Sequence, residues 1–256
     1  NPMRLMQAFL IALSMYSKIP VPRADWNEKN MKYAMCFFPV VGVVTGGCVY
    51  LAGFFLLRFT SCGSVFLGAV LTLVPILISG GIHLDGFMDT TDALSSYGDR
   101  EKKLSILKDP HTGAFAILGM GCYLLWSVAV YSEVKIEMLP SLSCIFVLSR
   151  ALSGFSVVTF PAAKDSGLLR TFQDKAQKKN VRIVMLLWAA AALLSLIWLD
   201  GKTGGMAALC AGGTFLYYGW MSKKKFGGIT GDLAGYFLSL CEVCMATGIV
   251  LAGGGI

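Results

Sequence analysis

The chain alternates long apolar segments with short polar loops. Seven apolar runs approach the length of about 17–25 residues that crosses a bilayer as a helix. They cover residues 35–57, 64–82, 113–132, 138–160, 182–199, 204–221 and 232–251. Few of the connecting loops are long enough to enclose a separate hydrophobic core. The pattern therefore predicts an all-α, polytopic membrane bundle of about seven transmembrane helices, with residues 1–256 forming one domain.

The first apolar segment differs from the others. It extends only from Leu5 to Tyr16 and is followed by Lys18-Ile19-Pro20-Val21-Pro22-Arg23. No Ala-x-Ala-like site follows it, which argues against a secretory signal peptide. Because the segment is short for a crossing, we predict a re-entrant or interfacial helix rather than a true span.

Composition and charge support a membrane protein and give its orientation. The chain is 55% apolar and 14% charged, whereas soluble domains carry about 25% charged residues. Four alternate loops, 18–33, 83–112, 161–182 and 222–231, hold 17 of the 22 Lys and Arg residues. The positive-inside rule places these four basic loops in the cytoplasm and the C-terminus outside. We therefore predict a multi-pass protein of the cytoplasmic (inner) membrane.

The net charge of +7 is mainly a consequence of this topology. It also favours an anionic substrate or membrane lipid headgroups, and the sequence does not decide between them. A nucleic-acid partner is not expected, because the basic residues are divided among short loops. Most of the eight cysteines lie in apolar runs, where they act as small hydrophobic residues rather than disulfide partners.

The most informative polar segment, residues 80–92, follows the second apolar run. Asp85, Asp89 and Asp92 in this segment are spaced i, i+4, i+7, which places them within about 60° of arc on a helix. A carboxylate beside hydrocarbon is costly unless it is paired or binds a cation. Carboxylate oxygens on one helix face suit Mg²⁺, so the segment predicts a magnesium site.

A glycine-rich turn at another cytoplasmic boundary is a candidate phosphate site. Three lysines, 223–225, precede Gly227-Gly228-Ile229-Thr230-Gly231-Asp232 at the start of the last apolar run. Backbone N–H groups at a helix start bind phosphate readily, although this is not a Walker A motif. The alternative is a plain loop with Asp232 as the helix N-cap.

Further polar residues have two interpretations each. Arg150 and Glu242 lie within apolar runs, where a charge either serves a site or pairs with another buried charge. Lys164 belongs to a basic loop that is either substrate-binding or simply solvated. Together with the aspartates, these residues indicate metal-assisted phosphoryl transfer on unidentified substrates.

The motifs resemble one known family. Gly80-Gly81-Ile82-His83-Leu84-Asp85-Gly86-x-x-Asp89-Thr90-x-Asp92 closely resembles the signature of cobalamin synthase, the adenosylcobinamide-GDP ribazoletransferase family. Further matches, in the family's order, are Ile19-Pro20-Val21-Pro22, Phe38-Pro39-x-x-Gly42, Lys108-Asp109-x-x-x-Gly113, Ser149-Arg150 and Gly227-Gly228-x-Thr230-Gly231-Asp232. The sequence departs from the residues usual in this family at Ala93, Pro110-His111-Thr112 and Lys164.

The resemblance implies a reaction and roles for particular residues. A ribose hydroxyl of α-ribazole, or of its 5′-phosphate, attacks the cobinamide-linked phosphorus of adenosylcobinamide-GDP. Adenosylcobalamin or its 5′-phosphate forms, GMP leaves, and Mg²⁺ is the cofactor. The catalytic residues implied are Asp85, Asp89, Asp92 and Asp109, and the metal ligands are Asp85, Asp89, Asp92 and Asp232. The substrate-binding residues implied are His83, Lys108, Arg150, Lys164, Gly227, Gly228, Thr230 and Gly231.

Two other classes of membrane protein remain as alternatives. A CDP-alcohol phosphotransferase performs similar chemistry, but its D-x2-D-G-x2-A-R-x8-G-x3-D-x3-D motif is not found here. An ion-coupled transporter would place carboxylates near the bilayer midplane and often shows inverted repeats. The sequence is also compatible with a homo-oligomer.

Overall fold

The computed structural model describes residues 2–163 and 177–253, which form helices joined by short turns. The helices are α1 (Pro2–Tyr16), α2 (Glu28–Met31), α3 (Phe38–Phe59), α4 (Ser64–Ser79), α5 (Ile82–Ser95), α6 (Arg100–Ile106), α7 (Ala114–Ser132), α8 (Leu139–Thr159), α9 (Lys178–Leu199), α10 (Gly201–Met221) and α11 (Gly231–Gly253). Short 3-10 turns precede α3 and α8, and a π-helical turn, Ser222–Phe226, follows α10. The all-helical prediction is confirmed for these residues.

Length and apolar character identify candidate membrane spans among the described helices. Within the described ranges, five helical segments are long and apolar enough to cross a bilayer: Ala34–Phe59, Ala114–Ser132, Ile136–Thr159, Lys178–Leu199 and Gly231–Gly253. A sixth is added if α4 and α5, which are bent by 98°, form one broken span. The count of seven is not confirmed. The run 204–221 is helical, as α10, but its glycines and its polar start reduce its apolar character.

Helix α1 has the size expected of an interfacial or re-entrant element. Its 15 residues extend about 22 Å, which is less than the ~30 Å hydrocarbon core. Ala8, Ile11 and Ala12 are buried, and the helix packs against α2 and the start of α3. The N-terminal segment thus lies against the bundle, and the re-entrant or interfacial placement stays a prediction.

Helices α8 and α11 form the centre of the bundle. About two-thirds of each apolar segment is buried, 67% for both, against 22–33% for the other candidate spans. Helix α8 packs between α3 and α9, and α11 packs between α5 and α10. The central position of both helices explains how charged residues in them are withdrawn from lipid.

The described parts of the four basic loops meet at one end of the bundle. The N–H group of Lys18, in the first loop, donates to the Ile78 carbonyl oxygen at 2.7 Å, next to the start of the second loop. In the third and fourth loops, Ala162 and Ile229 form an isolated parallel β-bridge. The Arg100 guanidinium of the second loop lies against the glycine turn of the fourth. The loops that the charge pattern assigns to one side are therefore neighbours in the fold.

Candidate functional site

The aspartate-bearing segment forms helix α5, as predicted, and a sharp turn sets its direction. Gly80 and Gly81 adopt φ angles of +65° and +79°, a left-handed conformation that glycine tolerates far better than other residues. The turn ends α4 and starts α5 at an angle of 98°. Because of this bend, α5 leaves the direction of α4 and lies across the start of α11.

Helices α5 and α11 approach each other closely through glycines. A Cβ atom at Gly86 would lie 2.7 Å from the Asp232 carbonyl oxygen, and one at Gly235 would lie 3.0 Å from the His83 carbonyl oxygen. Neither contact leaves room for a side chain at the glycine position. The close packing brings Asp232 beside the acidic face of α5.

Four carboxylates form an electrostatically coupled group at this contact. Asp85, Asp92 and Asp232 each act through their negative charge on half-buried Asp89. The Asp92 carboxylate occupies the space that a Cβ atom on Gly113, the N-cap residue of α7, would need, and the positive end of the helix dipole favours an anion there. The fold thus brings Asp85, Asp92 and Asp232 within electrostatic range of Asp89, and the role of the four residues as metal ligands stays a prediction.

This group has the donor chemistry of an open Mg²⁺ site. Within residues 2–163 and 177–253, no three acidic, histidine or cysteine side chains are grouped so that they could hold a metal ion by themselves. Mg²⁺ commonly binds through one or two carboxylates and completes its coordination with water and substrate phosphates. Hard oxygen donors at the edge of a cavity meet that requirement, so these residues fit the ion.

A cavity of about 600 Å³, which we call the substrate cavity, opens beside Asp85. Its polar wall contains six of the predicted site residues: His83, Asp85, Lys108, Thr230, Gly231 and Asp232. They come from α5, the α6–α7 loop and the start of α11. The cavity therefore unites motifs that are far apart in the sequence.

The apolar wall of the substrate cavity was not predicted. It includes Tyr16, Trp26, Met35 and Phe38, and the rings of Tyr16 and Phe38 are 4.3 Å apart. The family-like motifs at residues 19–22 and 38–42 mark the neighbourhood of these side chains. Nothing in the local pattern, however, indicates that the N-terminal segment folds against α5.

Thr230 caps helix α11. Its side-chain oxygen accepts a hydrogen bond from the Leu233 N–H group at 3.2 Å. The alternative prediction, with Asp232 as the N-cap, is therefore wrong. Asp232 occupies the first turn instead and lines the substrate cavity together with Thr230 and Gly231.

The glycine turn before α11 uses its backbone donors within the fold. The N–H groups of Gly227, Gly228 and Ile229 donate to carbonyl oxygens of Lys223, Ser222 and Pro161, at 2.9–3.2 Å. Gly227 and Gly228 do not line the substrate cavity, so we assign them the role of shaping the turn. Within the glycine-rich turn that is the predicted phosphate site, Thr230 and Gly231 at the start of α11 reach the substrate cavity.

Arg150 is placed for ion pairing. Its Nη1 atom lies 2.7 Å from Glu242 Oε1, and the two side chains are 1% and 8% exposed. The Ser149 hydroxyl donates to the same carboxylate oxygen at 2.8 Å. Its charge is thus engaged inside the bundle, and Arg150 does not line the substrate cavity; the substrate-binding role predicted for it stays a prediction.

Asp109 lies in the loop before α7, away from the wall of the substrate cavity. The His111 N–H group donates to its carboxylate at 2.9 Å, and the ring Nδ1 atom is 2.8 Å from the same oxygen. These contacts hold the pKa of the exposed Asp109 carboxyl below its ordinary value. The catalytic role predicted for Asp109 stays a prediction, and Lys164 lies outside the described residues.

Comparison with known proteins agrees with this arrangement. A sequence model of the cobalamin-5-phosphate synthase family matches residues 8–250. The chain is 43% identical to an adenosylcobinamide-GDP ribazoletransferase of Lachnoclostridium phytofermentans, over 98% of the chain and 96% of the relative. It is 34% identical to the enzyme of that name from Clostridium perfringens strain 13, over 96% and 97%.

A relative from Geobacillus sp. strain WCH70 with the same name is 30% identical, over 91% of each chain. No solved structure matches the chain. The match over nearly the full length includes both the aspartate helix and the start of α11. The chain therefore belongs to the cobalamin-5-phosphate synthase family.

Proposed function

We propose that this protein transfers the cobinamide-phosphoryl group of adenosylcobinamide-GDP to α-ribazole or α-ribazole 5′-phosphate. The products are adenosylcobalamin, or its 5′-phosphate, and GMP, which makes this the last assembly step of cobalamin biosynthesis. The observation that carries the proposal is the substrate cavity. Carboxylates, a lysine and the start of a helix line it together, and they come from separate motifs of a family of transferases. The names of the relatives support the same reaction.

The reaction is a single displacement at phosphorus. An oxygen–phosphorus bond forms between the acceptor ribose hydroxyl and the cobinamide-linked phosphorus, and the anhydride bond to GMP breaks. GMP leaves with the electron pair of that bond, and the hydroxyl proton passes to a carboxylate of the α5 group. Asp85 is the member of that group on α5 that lines the substrate cavity, so it is our candidate for direct contact with the reacting atoms.

Magnesium is part of the proposal. Asp85 and Asp89 would hold the ion, with Asp92 and Asp232 beside them. When bound, Mg²⁺ would neutralise phosphate oxygens and the charge that develops on the leaving group. The α5 and α11 backbones fix the carboxylates that would hold it, because the glycine contacts leave little freedom between the two helices.

The leaving phosphate is assigned to the end of the substrate cavity formed by Lys108, Thr230 and Gly231. The positive end of the α11 dipole and the lysine ammonium both favour an anion there. Tyr16, Trp26 and Phe38 supply flat apolar surface on the opposite wall. The corrin portion of the donor exceeds this space and would extend beyond it.

The site would face the cytoplasm from the inner membrane. The four basic loops surround the substrate cavity end of the bundle, and the positive-inside rule supports a cytoplasmic position for them.

The proposal is tested with the purified protein in lipid nanodiscs. Adenosylcobinamide-GDP and α-ribazole are added with Mg²⁺, and the corrinoid product and GMP are quantified by mass spectrometry. We expect equal amounts of both products, loss of turnover on chelation by EDTA, and recovery when Mg²⁺ is restored. Absence of the joined corrinoid would overturn the proposed reaction, and full turnover in EDTA would overturn the role of the metal.

A further inference from the structure

A second hollow of about 720 Å³ lies next to the substrate cavity, between α1, α4, α5 and α7. We call it the lateral groove. Its polar end is formed by Ser17, Lys18, Gly80 and Gly81, and its apolar part includes Met88, Met120 and Leu124. Met15, Ile82 and Asp85 line both spaces. Asp85 therefore stands where the two hollows meet.

This position matters because the attacking and leaving oxygens in phosphoryl transfer lie roughly in line, on opposite sides of phosphorus. The substrate cavity contains Lys108 and the start of α11, which suit the leaving phosphate. A phosphorus atom held beside Asp85, with its leaving group in the substrate cavity, presents its opposite side to the lateral groove.

The lateral groove also has the chemistry of a nucleoside site. Three methionines, Met15, Met88 and Met120, give it a flexible, polarizable surface that adapts to a flat aromatic base. The Lys18 side chain crosses the surface of Gly80 and is exposed at the polar end of the groove. An ammonium group there is placed to meet a phosphate carried by the acceptor.

We propose that the lateral groove binds the nucleoside acceptor, α-ribazole or its 5′-phosphate, with the attacking hydroxyl directed toward Asp85. Lys18 is the residue that favours the phosphorylated acceptor. This inference rests on the proposed function and adds to it a separate site for the second substrate. The bonds formed and broken are those of the displacement described above.

The first test narrows the lateral groove without touching the carboxylates. Leu124→Trp adds bulk to the groove, whereas Leu125→Trp, at the next position of α7, adds it at a side chain that is 75% exposed and outside the groove. We expect Leu124→Trp to raise the KM for α-ribazole about tenfold, with little change in the KM for the GDP-activated donor or in kcat at saturation. Leu125→Trp should match the wild type in the KM for α-ribazole, in the KM for the donor and in kcat.

The second test uses Lys18→Met, which keeps the length of the side chain and removes its charge. It should raise the KM for α-ribazole 5′-phosphate about tenfold and leave the KM for unphosphorylated α-ribazole within about twofold. This variant changes an exposed side chain, so it keeps the proposal testable if Leu124→Trp fails to fold.

The outcomes separate the two proposals. If the wild type joins no substrates, the proposed function fails and the groove assignment falls with it. If the wild type is active and both variants keep the acceptor KM values of the wild type, the lateral groove is a lipid-facing surface and the assignment is overturned. An increase confined to the KM for adenosylcobinamide-GDP would also overturn the assignment, because the lateral groove would then bind the corrinoid donor instead of the acceptor.

Discussion

Burial separates, residue by residue, the charged side chains of this protein that a substrate could reach from those that it could not. Asp85 is exposed toward two hollows, whereas Arg150 and Glu242 are enclosed and form an ion pair with each other. All three were equally prominent in the sequence as charges near or within apolar runs. The pattern of residues reveals that a charge is unusual, but only the packing around it shows whether it meets a substrate or another charge.

The Arg150–Glu242 pair should be a large determinant of stability. Removal of one partner leaves the other charge buried, which costs about 3–5 kcal/mol. We expect Arg150→Met and Glu242→Met each to lower the unfolding temperature clearly, and the double variant that combines them to lose less than the sum of the two single losses. Thermal unfolding of the purified variants in detergent measures this. Single variants as stable as the wild type would show that the pair is not structural.

Thr230 should act through its cap. Loss of a threonine N-cap costs about 1 kcal/mol, and serine retains the oxygen that accepts from the Leu233 N–H group. We therefore expect Thr230→Ala to reduce stability by about that amount and Thr230→Ser to restore it, as judged by chemical unfolding. If the serine variant were as unstable as the alanine variant, the hydroxyl cap would not be the explanation.

Close contacts between helices position the functional group at the scale of secondary-structure elements. The spacing of Asp85, Asp89 and Asp92 correctly predicts helix α5. The 98° bend before it was not predicted, because hydrophobicity shows where an apolar run ends but not the direction of the next helix. The docking of α1 near α5 was not predicted for a related reason, since periodicity carries no information on contacts between distant segments.

The α5–α11 contact should be sensitive to side-chain size. A larger residue at Gly86 would strike the Asp232 backbone, whereas Gly121 on α7 has open space at its Cβ position. We expect Gly86→Val to reduce turnover by about 100-fold or more, because misplacement of catalytic groups by about 1 Å has that effect. Gly121→Val is the matched control and should retain the activity of the wild type. Equal activities for the two variants would contradict the need for this close approach.

The four basic loops form one face of the molecule as a whole. Their proximity in the fold follows from hydrogen bonds such as Lys18 to Ile78 and Ala163 to Ile229, which charge counting does not consider. Charge counting and packing thus agree independently on which loops share a side. The number of crossings is a weaker inference, since α10 and the bent α4–α5 pair depart from the simple pattern of one apolar run per span.

Accessibility labelling tests the orientation of this face. In a cysteine-free background, Lys102→Cys and Lys224→Cys introduce thiols at exposed positions of basic loops, and Lys202→Cys introduces one in a loop with the opposite predicted side. We expect an impermeant maleimide to label position 202 in intact cells and to label positions 102 and 224 only after permeabilisation. The reverse pattern would place the substrate cavity outside the cell.

The central claim is that Asp85 contacts the reacting atoms where the two hollows meet. The turnover rate of an Asp85 variant tests it most directly. Asp85→Asn preserves the shape of the side chain and removes its charge, and Asp99→Asn makes the same change at an exposed carboxylate outside the substrate cavity. With both substrates saturating, we expect Asp85→Asn to lower kcat by at least about 100-fold while the protein remains folded, and Asp99→Asn to keep most of its activity. An Asp85→Asn enzyme with the kcat of the wild type would contradict the account.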